Sequence, residues 1–101
     1  MDTTLRDGWI KLSLPEQMVN IGNEVKRAVR FDKDYDKKRS FIEKALEYVE
    51  LTIADPKNSD VVPELEIGKR VLEDYIGKRE LDYTKEQLQG YYLSFMYMIK
   101  H

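Results

Sequence analysis

Leu14, Met18, Ile21, Val25 and Ala28 recur at alternating intervals of four and three residues. That interval is the seam of a helix packed on other helices. A strand cannot present it, because strand side chains alternate with period two. Ser13 followed by Glu16 is a capping box, and Pro15 lies in the first turn, so the helix predicted over Leu14 to Phe31 has a defined start. Wound at about 100° per residue, it gathers Leu14, Met18, Ile21, Gly22, Val25, Ala28 and Val29 on one face. Its middle reads Asn20-Ile21-Gly22-Asn23, three of them poor helix formers. Ile21 and Gly22 fall on the inner face, where a glycine costs about 1 kcal/mol against alanine unless a neighbouring helix comes close. The asparagines fall outside, beside Lys26, Arg27 and Arg30.

The rest of the chain repeats the helical period. Asp32, Asp34 and Asp36 separate this helix from a second one predicted over about Tyr35 to Ala54. Phe41, Ile42, Ala45, Leu46, Tyr48, Val49, Thr52 and Ile53 make its apolar face, with Glu43, Lys44, Glu47 and Glu50 on its back. Asp55 before Pro56 ends it. A third helix starts near Val61–Pro63, with Asp60 as its expected cap, and carries a stripe of Val61, Leu65, Gly68, Leu72 and Tyr75. Gly68, like Gly22, is placed on a close helix contact. Thr84 with Gln87 forms another capping box, stapled by Tyr83 and Leu88, ahead of a last helix from Lys85 almost to His101. Four amphipathic helices with short connections predict an all-α fold, an antiparallel up-and-down four-helix bundle, as one domain over residues 1–101. Residues 1–12 are expected to be an irregular N-terminal segment, with Trp9, Ile10 and Leu12 lying against the bundle.

Residue inventory narrows the chemistry. There is no cysteine, so thiol nucleophiles, disulfides and thiolate metal sites are absent. The only histidine is the last residue, His101, where chain ends fray. A catalytic base or zinc set is not expected from it. Dinuclear carboxylate sites in helical bundles want inward glutamates and Glu-x-x-His pairs. No such pair exists, and Glu43, Glu47 and Glu50 fall on an outward face. No glycine-rich phosphate loop is present. Neither an enzyme nor a cofactor, metal ion or small-molecule substrate is therefore expected. No run of about 18 apolar residues exists, and the N-terminal residues lack the apolar stretch of a secretory signal, so no membrane association and a cytoplasmic location are expected.

Two surfaces remain. Leu93, Met96 and Tyr97 stand at i, i+3 and i+4 on a face of the last helix that its core stripe does not use. They are candidates for self-association as a homodimer, or for cover by the Trp9 segment. The second surface is charged. Seven cations (Lys26, Arg27, Arg30, Lys33, Lys37, Lys38, Arg39) against Asp32, Asp34 and Asp36 give residues 26–40 a charge of +4. The rest of this chain of net charge −2 is left with −6. The plain reading is a solvated turn with cations at a helix carboxyl end. The functional reading is a phosphate-contacting face of Asn20, Asn23, Lys26, Arg27, Arg30, Lys37, Lys38 and Arg39.

Asn20 to Ala28 and Lys44 to Pro56 also resemble a group of small bacterial and archaeal helical proteins with an N-I-G-x-E-V-x-R-A pattern. A later R/K-A-L-E-x-x-x-L-T-I-x-D-P pattern belongs to the same group. The group has no assigned function, so the resemblance implies a small helical fold and supplies no function. The sequence thus predicts a non-enzymatic protein-interaction module, with a nucleic-acid-binding bundle, an RNA binder, as the alternative.

Overall fold

The computed structural model describes residues 3–77 together with 86–88, 90 and 92. Four helices follow one another: α1 (Thr3–Trp9), α2 (Leu14–Arg30), α3 (Tyr35–Ala54) and α4 (Val62–Ile76), with a 3-10 turn over Pro56–Val61 between the last two. Residues 86–88, 90 and 92 are helical as well, and no strand occurs among the described residues. The protein is all-α.

Local chemistry sets these boundaries. The Ser13 hydroxyl accepts from the Glu16 N–H at 3.3 Å, and the Glu16 carboxylate accepts from the Ser13 N–H at 2.9 Å. These two bonds satisfy donors that a helix start leaves orphaned, and the Ser13 N–H on the carboxylate, with the Ser13 hydroxyl adding to it, holds the Glu16 carboxyl below its ordinary value. Asp34 caps α3 through the Lys37 N–H at 3.2 Å. Asp55 ends α3 in extended backbone, as a residue before proline must.

The four-three seam of α2 is the centre of the core. Met18, Ile21, Val25 and Ala28 are buried with Ile42, Ala45 and Val49 of α3, Leu65, Val71, Leu72 and Tyr75 of α4, and Leu88 and Tyr92. Each large side chain of this set contributes roughly 1.5–3 kcal/mol by leaving water. α3 is the central element, packed along both α2 and α4 and touching α1 and the 3-10 turn. Gly22 and Gly68 are both buried. At Gly68 the Tyr92 hydroxyl reaches the α4 backbone and donates to its carbonyl at 2.9 Å.

The structure corrects three expectations. The N-terminal segment is not irregular: Thr3–Trp9 is helical. Within that segment Trp9 is buried and Leu12 partly so, but Ile10 is 45% exposed, because the indole and not the isoleucine takes the contact with α3. Asp60 does not cap α4. It sits inside the 3-10 turn, where Asp55 caps instead through the Lys57 N–H, and α4 begins after Val61 without a side-chain cap. Most of the predicted last helix, with Thr84, Tyr83, Leu93, Met96 and Tyr97, lies outside the described residues.

Candidate functional site: the basic face of α2 and the α2–α3 corner

The period of α2 fixes which residues look outward. With Met18, Ile21, Val25 and Ala28 buried, Val19, Asn23, Lys26 and Arg30 line up on the opposite side, again four, three and four apart. All four are exposed, Val19 by 50%. The side chains of Asn23, Lys26 and Arg30 make no hydrogen bond or ion pair among the described residues. The stripe is about 16 Å long at the helical rise.

Its neighbours are engaged within the molecule. The Asn20 amide donates to the Glu16 carbonyl at 2.9 Å, one helical turn back. Arg27 pairs with Glu24, which is itself only 7% exposed. That pairing explains how a carboxylate comes to be buried on α2: its charge is met by a cation that reaches water.

The α3 cations hold the corner together. Lys37 lies 4.8 Å from the centroid of the Phe31 ring, which stacks on Phe41 at 5.8 Å. Lys38 lies 4.8 Å from the Tyr75 centroid and 3.9 Å from Asp32. The Tyr75 hydroxyl donates to the same Asp32, tying α4 to the α2–α3 connection. Arg39 donates to Glu43 at 2.7 Å, and that carboxylate raises the Arg39 pKa further. Tyr35, half exposed, donates its hydroxyl to the Ile76 carbonyl at 3.2 Å. The sequence-predicted set is therefore not one continuous patch. Asn23, Lys26 and Arg30 are open; Arg27, Lys38 and Arg39 are neutralised locally, Lys37 lies against Phe31, and Asn20 is bound to its own helix.

A second cluster, at the other end of α2, escaped the sequence reading. Gln17 is fully buried and its amide nitrogen donates to the Trp9 carbonyl and to Asp55 Oδ2, both at 3.0 Å. Asn58 donates to Gln17 Oε1 at 2.9 Å and to the Thr52 carbonyl at 2.9 Å. The Trp9 indole N–H donates to Thr52 Oγ1 at 3.0 Å, and Lys57 Nζ pairs with Asp55 while donating to the Ile10 carbonyl at 3.0 Å. Burial pushes the Asp55 carboxyl up, but the hydrogen bonds from Lys57 and Gln17 and the Lys57 charge outweigh it and hold the carboxyl below its ordinary value. Two signals in the sequence point here: a lone tryptophan whose N–H needs an acceptor, and an Asp-Pro-Lys run able to cap a turn.

No group of three or more His, Cys, Asp or Glu residues gathers into a metal site among the described residues. No described helix is long and apolar enough to cross a membrane. Comparison of the chain with protein-family models, with curated proteins and with solved structures yields no match.

Proposed function

We propose that the chain is a non-enzymatic interaction module that docks a protein partner on the outer stripe of α2. The supporting observation is the stripe itself: Val19, Asn23, Lys26 and Arg30 are exposed, aligned and, among the described residues, unengaged on a helix whose other side is locked into the core. An apolar head, an amide and two cations suit an acidic protein surface with an apolar edge, because charge complementarity steers and orients association. The scaffold that carries the stripe is, in this reading, an antiparallel up-and-down four-helix bundle completed by residues 85–101. Short connections between the helices support it. Homodimerisation through Leu93, Met96 and Tyr97 remains a separate proposal.

Nucleic acid is the second reading. Tyr35 favours it, an aromatic ring half exposed beside Lys38 and Arg39 where a base could stack. The internal ion pairs and the nearby Asp34 and Asp36 weigh against it.

Salt separates the two. Titrations with generic RNA and DNA at low and moderate salt are run beside photo-crosslinking from position 23 in extract of the source cells. A crosslinked protein that is lost with Lys26→Glu/Arg30→Glu, together with no nucleic-acid binding at low salt, supports the protein reading. RNA binding that falls steeply with salt and is lost in the same variant replaces it with the alternative.

A further inference from the structure

Seven residues are too few to hold a helix in water by themselves, so α1 depends on what it docks against. Among the described residues, its C-terminal end is held by the Trp9 side chain and two carbonyls, with Leu12 packed against the core just beyond. The Trp9 ring stacks on Tyr48 with centroids 4.6 Å apart and 18° between planes. Its N–H is accepted by Thr52 Oγ1 at 3.0 Å, and that hydroxyl is fixed because it donates to the Tyr48 carbonyl at 2.7 Å. The carbonyls of Trp9 and Ile10, just at the helix end, accept from Gln17 and Lys57, each at 3.0 Å, the Trp9 carbonyl also accepting from the Leu12 N–H. One carboxylate, Asp55, orients both donors. In these hydrogen bonds and this ring contact, among the described residues, the groups that hold belong to α2, α3 or the 3-10 turn and the groups held to residues 9–10. Around that anchor Arg6, Asp7, Gly8 and Ile10 are exposed.

We propose that this cradle is a recognition site for a tryptophan-bearing segment of a protein partner, and that α1 covers it in cis. The cradle reads an indole by its face and its N–H, and two successive backbone carbonyls by two oriented donors. Any chain with a tryptophan at a helix end or turn can supply that set. Asp55 pre-orients the donors, which lowers the ordering cost of binding. The cover is joined to α2 through residues 10–13 alone, so its effective concentration at the cradle is high. A partner binds in the fraction of molecules whose α1 has opened, and its apparent affinity is reduced by that fraction. This surface is distinct from the α2 stripe, and the proposal does not rest on what the stripe binds.

Trp9 is the only tryptophan, so it reports on the cover directly. In the wild-type chain, hydrogen exchange of the Trp9 indole N–H is compared with that of backbone amides in the middle of α3. Exchange of the indole at least tenfold faster than those amides is expected, through an opening smaller than global unfolding. Full-length Trp9→Ala is then titrated with a fluorescein-labelled peptide of residues 3–12, read by anisotropy. Saturable binding is expected, at least tenfold weaker to wild type and at least tenfold weaker to Trp9→Ala/Thr52→Val. No saturable binding to a folded Trp9→Ala chain at millimolar concentration overturns the proposal, and so does equal binding to all three proteins. If circular dichroism shows that Trp9→Ala does not fold, the wild-type exchange decides. An indole that exchanges only with global unfolding overturns the proposal whatever the peptide does.

Discussion

Asp55 shows how much one side chain can organise. Its carboxylate is 4% exposed, yet it serves Gln17, the Lys57 ammonium and the Lys57 N–H together. Asp55→Asn keeps an acceptor for Gln17 and removes the charge that faces Lys57. At pH 7 it should lose about 1–2 kcal/mol in urea unfolding, the scale of a charged hydrogen bond. The loss should depend on pH with a definite sign. The folded carboxyl sits below its ordinary value, so the stabilisation is present above an unfolded pKa of about 3.9 and fades as pH falls through the folded one. Among the described residues Lys57 is the charged group on the carboxylate; α2 brings neutral Gln17, and α3 the Thr52 carbonyl, which accepts from the Asp55 N–H. Unfolding curves at pH 7, 5 and 3 should therefore show wild type and Asp55→Asn converging toward acid. A difference that stays constant from pH 7 to 3 would remove Asp55 ionisation as the cause.

At the scale of elements, glycine positions separate what sequence spacing can read from what it cannot. A Cβ at Gly8 would meet nothing within 4 Å, so Gly8→Ala should stabilise α1 by about 0.5–1 kcal/mol, seen as a raised Tm. A Cβ at Gly77, just past α4, would lie 2.8 Å from the Glu73 carbonyl oxygen, a backbone atom that cannot step aside. Gly77→Ala should cost about 1–2 kcal/mol in the same assay. Gly22 is buried on α2, and Gly22→Leu should overpack it by roughly 1–3 kcal/mol. The inward side of Gly22 and Gly68 was legible, as were the capping box at Ser13, the span Tyr35–Ala54 and the stop at Pro56, because each follows from periodicity or from one local backbone rule. The 3-10 turn and the buried Gln17 were not. The bonds that fix Gln17 reach residues 8, 38 and 41 positions away, and no local pattern encodes a partner at that distance. The basic corner was legible as charge but not as surface, because Glu24 and Glu43 neutralise Arg27 and Arg39 only once the helices form.

Across the whole molecule, charge is divided between two tasks. Cations at the α2–α3 corner fasten α2, α3 and α4 through Asp32, Phe31 and Tyr75, whereas the Lys26 and Arg30 side chains fasten nothing among the described residues. A surface that carries binding without carrying stability can be altered without unfolding the protein. Lys26→Glu/Arg30→Glu takes the formal net charge from −2 to −6. Arg30 lies in the last turn of α2, where a cation meets the negative end of the helix dipole, so the reversal should still cost about 1 kcal/mol or less. Lys38→Met is the contrasting change. It removes the cation shared by Asp32, Tyr35 and Tyr75 from a side chain that is 13% exposed. It should cost about 1–2 kcal/mol, since Asp32 loses its cation beside a buried tyrosine. Urea unfolding of both variants, with titration of whatever partner crosslinks from position 23, tests the division. The stripe reversal should abolish binding with its unfolding midpoint nearly unchanged, and Lys38→Met should lower the midpoint with binding intact. If the stripe reversal loses as much stability as Lys38→Met, Lys26 and Arg30 belong to the scaffold, and the outer face of α2 is not the docking surface.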